Sequence, residues 1–312
     1  MRKFYITTCL FCLPLILGVI GMELFARSIP NQYRYKKEWM DNNKSDVETL
    51  VLGNSHAFKG IKTSMIHNAF NLAQSAQRLE YDYYLLSKYI SESPNLKNVV
   101  LSLDYSNLFA GELESEYGMN WNLAIYYNLY MDYPKHGTFS KYHYELSCPK
   151  SMYKKVLLYL TSLVKNGSYE IGCDATGYGD SSESMKNKKQ SDMDDKPISL
   201  RLTRNYDIST TLSVNVRYLE DIVKICKQHH VRIILISTPY WHNFYKKTEN
   251  RKIQLLDNVI KKLIDKYDIE YKNYMNASKF SYNNDFFYNG DHLSPEGAEA
   301  FTTVLIRDCG LN

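Results

Sequence analysis

The chain has 312 residues, 44% of them hydrophobic, a formal net charge of +4 and six cysteines. That is enough chain for one substantial core plus extra segments, and so small and dispersed a charge excludes a nucleic-acid surface. No zinc-ligand spacing, Walker motif or dinucleotide fingerprint occurs, so neither a metal nor a nucleotide cofactor is expected.

Arg2 and Lys3 precede an almost unbroken apolar run from Phe4 to about Phe25, long enough to cross a hydrocarbon core. The run exceeds a signal-peptide core and is followed by no convincing small-x-small cleavage site. Residues 1–30 are therefore expected to form an uncleaved, single-pass anchor and its flank. Arg2 and Lys3 keep the start inside and put the rest outside the cytoplasm, although Arg27, Arg34, Lys36 and Lys37 follow the span. Cys9 and Cys12 lie inside it as apolar filler.

Residues 31–312 alternate strand and helix patterns. The expected elements are a strand at Glu48–Leu52, a helix near Lys62–Asn68, a short strand at Ala69–Ala73, a helix at Tyr81–Ser91 and a strand at Val99–Leu103. After an interruption come a helix at Val214–Gln228, a strand at Val231–Ile236, a helix at Ile253–Tyr267 and a strand near Ile269–Tyr274. Val216, Leu219, Ile222, Val223 and Cys226 share one helix face. This alternation predicts an α/β fold, a three-layer α/β/α sandwich around a parallel, flavodoxin-like sheet.

The interruption, about 106–206, reads as an insertion. Its first part is tyrosine-rich (Tyr126, Tyr127, Tyr130, Tyr133) and includes a helical stretch, Met152–Val164. These tyrosines either pack the insertion or stack on sugar rings. Asp180–Lys196 is rich in Ser, Lys, Asp and Asn and is expected to be a mobile loop. Cys148 and Cys173 both fall in this region and could pair outside the cytoplasm, while the sequence decides no pairing.

Two short segments carry chemistry. Gly53-Asn54-Ser55-His56 follows the first strand, and a serine in a tight strand-to-helix turn presents its hydroxyl as a nucleophile, beside the free N–H groups of a helix start. Asn289-Gly290-Asp291-His292-Leu293-Ser294-Pro295 precedes the last helix, with Ser294 as N-cap and Pro295 as first helical residue. A serine after the first strand and a histidine before the last helix can meet at the carboxyl edge of a parallel sheet, where serine needs a base and the base an orienting acceptor. Pro239-Tyr240-Trp241-His242 follows another strand, so Trp241 and Tyr240 are expected to line a cleft as aromatic contacts. His229-His230 reads as a solvated helix end.

These segments, with Asn71-Leu72-Ala73-Gln74-Ser75-Ala76-Gln77, resemble the SGNH (GDSL-like) hydrolase superfamily, in the membrane-anchored branch associated with acylation of cell-envelope polysaccharides. The likeness runs from about Asp46 to the C-terminus, outside 106–205. It implies Ser55 as nucleophile, His292 as base, and the Ser55 and Ala76 N–H groups as oxyanion hole, with Ala76 where the family carries glycine. Asn107 corresponds to the third oxyanion contributor. The family's triad aspartate stands three residues before the histidine, where this chain has Asn289. The site is thus a Ser–His dyad, or a triad whose orienting group is Asn289, the adjacent Asp291 or the more distant Asp285. The resemblance implies an esterase or O-acetyltransferase acting on envelope polysaccharide or a small acyl ester, with a multispanning membrane acyltransferase as candidate donor partner. The competing reading is a catalytically degenerate, glycan-binding or scaffold protein of polysaccharide assembly. A third, a lipid or small-ester hydrolase, requires an apolar acyl channel.

Overall fold

The computed structural model describes residues 1–112, 121–137, 139–186, 188–189, 193 and 208–312. In chain order the first elements are α1 (Arg2–Ser28), α2 (Gln32–Asn43), β1 (Thr49–Leu52), α3 (Ser55–Gly60), β2 (Ala69–Asn71), α4 (Leu79–Tyr89), β3 (Asn98–Ser102) and α5 (Tyr105–Phe109). Next come α6 (Trp121–Tyr130), α7 (Pro149–Asn166), α8 (Ser182–Lys186), α9 (Ile208–Gln228), β4 (Arg232–Ser237) and α10 (His242–Lys247). The chain continues through α11 (Asn250–Tyr267), β5 (Glu270–Asn273), α12 (Ser278–Ser281), β6 (Phe287–Asn289), β7 (His292–Leu293) and α13 (Pro295–Cys309).

The five-stranded sheet has the order β2-β1-β3-β4-β5, and every pair is parallel. Its central strands read as nearly continuous apolar runs because both faces are covered. Leu50, Leu52, Val99, Leu101, Ile234 and Leu235 are buried. Helices flank the sheet: α4, α9 and α11 pack side by side, while α3 packs on α13. Leu219, Ile222, Val223 and Cys226 form the buried face of α9, as their spacing predicts. The strand order reverses between β1 and β3, so a crevice opens at their carboxyl ends, the usual ligand position of open α/β sheets.

One helix lies elsewhere than expected. The helix anticipated at Lys62–Asn68 is only a single 3-10 turn, Thr63–Met65. The Asn54 side chain accepts the His56 N–H and starts α3 at Ser55 itself, so the helical turns come directly after the serine.

The chain divides into two compact units, Met1–Glu38 with Leu113–Ile171, and Trp39–Glu112 with Gly172–Asn312. Contacts within the first unit hold its two segments together. The Glu23 carboxylate accepts the N–H groups of Glu145 and Leu146 at 3.1 and 2.9 Å, and the Tyr33 ring meets Tyr126 and Tyr127 at 5.2 and 5.3 Å. Tyr127 and Tyr130 are buried, so these tyrosines pack the unit and offer no exposed sugar platform. Part of the stretch expected as a loop, Asp180–Lys196, lies outside the described residues. Cys148 and Cys173 are free thiols, so the expected disulfide between them is not formed. α1 is 27 residues long, sufficient in length and composition to cross a membrane.

Gly53 has φ +125°, and a Cβ there would lie 2.9 Å from Ser102 Cβ on the neighbouring strand. Gly53→Ala is expected to destabilise the sheet unit by on the order of 1–3 kcal/mol, read as a lower denaturant midpoint of the full chain in detergent.

Candidate active site

The site begins where β1 ends. Gly53 turns the chain, its N–H donating to Asp82 Oδ1 at 2.8 Å and its carbonyl accepting the Gln74 N–H at 3.2 Å. Asp82 is fully buried, and burial pushes its carboxyl up to about 7. Gln77 Nε2 donates to the same oxygen at 2.6 Å. Asn54 ties this turn to the end of β3, its Nδ2 donating to Ser106 Oγ at 3.1 Å and to Asn107 Oδ1 at 3.2 Å. Ser55 is the first residue of α3, where a helix leaves its N–H without an internal partner.

Ser55 Oγ lies 2.8 Å from His292 Nε2. His292 stands on the β6–β7 hairpin, opposite Asn289. Its Nδ1 lies 2.8 Å from Asp291 Oδ1 and 3.1 Å from Asn289 Oδ1. The Asn289 oxygen also accepts the backbone N–H groups of Asp291 and His292 at 3.2 and 2.9 Å. Asn289 therefore shapes the turn, and the carboxylate against the ring is the adjacent Asp291. Asp285, the third alternative, meets this region through its backbone carbonyl, which accepts Ser294 Oγ at 2.5 Å. Ser294 caps α13 through the Gly297 N–H at 3.0 Å, as its position before Pro295 predicts.

A second acid–histidine pair lies behind the first, and sequence reading assigned it no role. His56 Nδ1 is hydrogen-bonded to Asp104 Oδ2, and its Nε2 lies 3.5 Å from Asp291 Oδ2. The two imidazole centroids are 4.7 Å apart. Asp104 is the N-cap of α5, its Oδ1 accepting the N–H groups of Ser106 and Asn107 at 2.7 and 3.1 Å. The available signal was an acid directly after β3, at the same carboxyl edge as Ser55.

The electrostatics follow from this packing. Burial opposes charge on His56, but Asp104 and then Asp291 outweigh it and raise His56 to about 10. Burial opposes charge on Asp104 as well, and His56 with the α5 cap lowers it to about 2. Asp291 is held well below the carboxylate range, against its burial, by His292 and His56. His292 is lowered, first by burial and then by the positive charges of His56 and Lys59, against the pull of Asp291. At neutral pH the arrangement is thus a neutral His292, an ionised Asp291 and a charged His56. A neutral imidazole 2.8 Å from a hydroxyl is competent as a general base.

His56, Asp291 and His292 also bring ligand-type atoms within 4.8 Å of one another, a spacing a metal ion could use. Both nitrogens of His292 already face hydrogen-bond partners, and His56 Nδ1 faces Asp104, so the donor set is arranged for sharing protons.

The expected oxyanion donors sit on rigid backbone. Ala76 has φ +58°, the left-handed conformation that glycine adopts without cost, which accounts for glycine in the family pattern. Its carbonyl is held by Arg78 Nη1 at 2.7 Å, and Arg78 Nε donates to the Gly111 carbonyl at 2.8 Å. Asn107 is buried, its Oδ1 accepting the Asp104 N–H at 3.0 Å, while its Nδ2 has no acceptor among the described residues. Of the expected aromatic contacts, Tyr240 is fully buried, with its ring 5.5 Å from His56. It forms a wall behind the histidine and presents no face to a sugar. Trp241 is 8% exposed, and its N–H donates to the Gly290 carbonyl at 2.9 Å, tying this loop to the His292 turn. Tyr288, which sequence reading did not single out, stacks on the His292 ring at 5.4 Å.

Neither a known family model nor a curated protein matches the sequence. Solved structures with a similar fold include a GDSL-like lipase from Bacteroides thetaiotaomicron, at 12% identity, TM-score 0.41, covering 89% of this chain and 100% of that one. A lipase/acylhydrolase from Enterococcus faecalis is similar at 12% identity, TM-score 0.41, covering 84% and 95%. A catalytic mutant of an acetylxylan esterase from Geobacillus stearothermophilus is similar at 9% identity, TM-score 0.43, covering 86% and 96%.

His56 is raised above its unfolded value, so its ion pairs contribute stability that is complete below about 6.5 and lost as pH rises toward about 10. Thermal stability is expected to fall across that interval in the wild type, with a flatter profile in His56→Gln. Calorimetry from pH 6 to 10 checks this.

Proposed function

We propose that this chain is an SGNH-type serine enzyme that cleaves or transfers acyl esters. The observation that supports it most directly is the 2.8 Å approach of His292 Nε2 to Ser55 Oγ, with Asp291 Oδ1 at 2.8 Å from the other ring nitrogen. Nucleophile, base and orienting carboxylate are thereby in hydrogen-bond reach of one another.

In this reading Ser55 Oγ attacks the acyl carbonyl carbon while His292 Nε2 takes its proton. The imidazolium that forms is stabilised by Asp291, and the carbonyl oxygen, now an anion, is held by the Ser55 and Ala76 N–H groups with Asn107 Nδ2 as third donor. Collapse of the tetrahedral intermediate returns the proton from His292 to the leaving alkoxide and leaves an acyl-Ser55 ester. Water or a sugar hydroxyl, deprotonated by His292, then attacks that ester and regenerates the serine. Hydrolase and transferase use the same residues and differ in how well water is excluded.

The finer assignment draws on the sequence resemblance. It makes acetyl the transferred group, cell-envelope polysaccharide its carrier and a multispanning membrane acyltransferase the donor partner. α1 is the uncleaved anchor, with Arg2 and Lys3 inside and the sheet unit outside the cytoplasm.

The test treats the detergent-solubilised full chain with a fluorophosphonate beside an acetyl-ester release assay. Adduct at Ser55, absent in Ser55→Ala, is expected together with turnover. Absence of both in the wild type, with and without cell membranes to supply a donor partner, would sink the enzymatic reading and favour a glycan-binding or scaffold role. Asp291→Asn is expected to lower kcat by roughly 10³–10⁴-fold, the cost of losing the carboxylate behind a catalytic imidazole. Asn289→Ala, which leaves that carboxylate in place, is expected to retain more activity.

His56 adds a pH signature. Removing its charge in His56→Gln raises the pKa of His292, so the acid limb of the kcat/KM profile is expected to move to higher pH. An unmoved limb would show that the two imidazoles are not coupled.

A further inference from the structure

α7 is built unlike the other long helices of this protein. None of its 18 residues is buried, yet Tyr153 is 63% exposed, Leu157 47%, Leu160 45% and Val164 87%. Their spacing of three and four residues places these side chains in one stripe. At 100° per residue the exposed Lys150, Lys154 and Lys165 fall beside that stripe.

The opposite side of the helix is occupied by its own unit. Lys155 pairs with Glu145, Ser151 Oγ accepts Asn122 Nδ2 at 3.2 Å, and the Tyr159 ring meets Tyr169 at 5.2 Å. The apolar stripe is therefore what remains once α7 has made its contacts, and packing within the unit does not explain it.

The position of the helix indicates what covers the stripe. Tyr159 also packs edge-on against Phe25 at 6.3 Å, and Phe25 is the last large apolar residue of the run that begins at Phe4. An apolar helix of about 22 residues spans roughly 33 Å, the thickness of a hydrocarbon core. Phe25 thus marks the level at which α1 leaves the membrane, and α7 is fastened to that level. A helix with an apolar stripe, flanking lysines and a membrane exit beside it has the composition of an in-plane interfacial helix. Its apolar side chains enter the acyl-chain boundary while its lysines extend toward headgroup phosphates.

We infer that α7 is a second membrane element, lying in the lipid interface at the outer end of α1 with Tyr153, Leu157, Leu160 and Val164 immersed. This rests on the reading of α1 as a retained anchor. The immersed helix fixes the rotation of the first unit about the membrane normal, which a single span leaves free.

The experiment uses the full chain in the membranes of the expressing cell, with the photo-crosslinker p-benzoylphenylalanine in place of Leu17, Leu160, Val164 or Lys154, one at a time, and identifies adducts by mass spectrometry. Leu17 reports on the anchor and Lys154 on the headgroup side. Phospholipid adducts at Leu17, Leu160 and Val164, several-fold above those at Lys154, are the expected result. Lipid adducts at Leu17 alone would overturn the inference while leaving the anchor intact. A protein adduct at Leu160 or Val164 would replace lipid by a second copy or another membrane protein and overturn it equally. No lipid adduct at any of the four positions would sink the anchor reading together with this one.

Discussion

The Asp291 carboxylate is the group on which the site depends. It is 7% exposed and stands between two imidazoles, with Oδ1 facing His292 and Oδ2 facing His56. A buried carboxylate without partners would take up a proton. Here His292 and then His56 keep it ionised, and Asp104 keeps His56 charged. The order Asp104, His56, Asp291, His292, Ser55 alternates acid and base from the end of β3 to the serine hydroxyl. Asp104 and Asp291 favour the charged His56, while burial and the charges of His56 and Lys59 keep His292 neutral against the pull of Asp291.

That alternation is possible because three loops converge at one edge of the sheet. β1 and β3 are neighbours across the switch in strand order, so the loops after them carry His56 and Asp104 to the same place. The β6–β7 hairpin brings Asp291 and His292 in from the far end of the chain. Asn54 joins the first two loops through the Asn107 and Ser106 side chains, and the Trp241 N–H joins the loop after β4 to the hairpin. Gly53 and Gly290 are both sites of close approach. A Cβ on Gly290 would lie 2.6 Å from the Phe244 ring, which is why the hairpin can sit so near α10.

Ala76 and Asn289 each have a physical account in the structure. Ala76 takes the left-handed backbone that glycine would take, at an expense of about 1 kcal/mol, and so preserves the direction of its N–H. Asn289 gathers two backbone N–H groups that shape the histidine turn, while the carboxylate against the ring is Asp291. Serine, imidazole and carboxylate thus stand in line although the carboxylate is the histidine's immediate neighbour in the sequence.

The sequence by itself determined the features that are local in the chain. Apolar runs of four to six residues between amphipathic segments are enough to announce a parallel sheet, and a serine after a Gly-Asn turn or a Ser-Pro helix start is written in neighbouring residues. Only the tertiary structure decided among Asp291, Asn289 and Asp285, because that choice depends on which way a hairpin turns its side chains. It alone paired His56 with Asp104, 48 residues away, buried Tyr240 behind that pair, and packed Tyr126 and Tyr127 against Tyr33. Periodicity tells which face of an element is apolar; which distant segment covers it, or whether any does, follows from packing the whole chain.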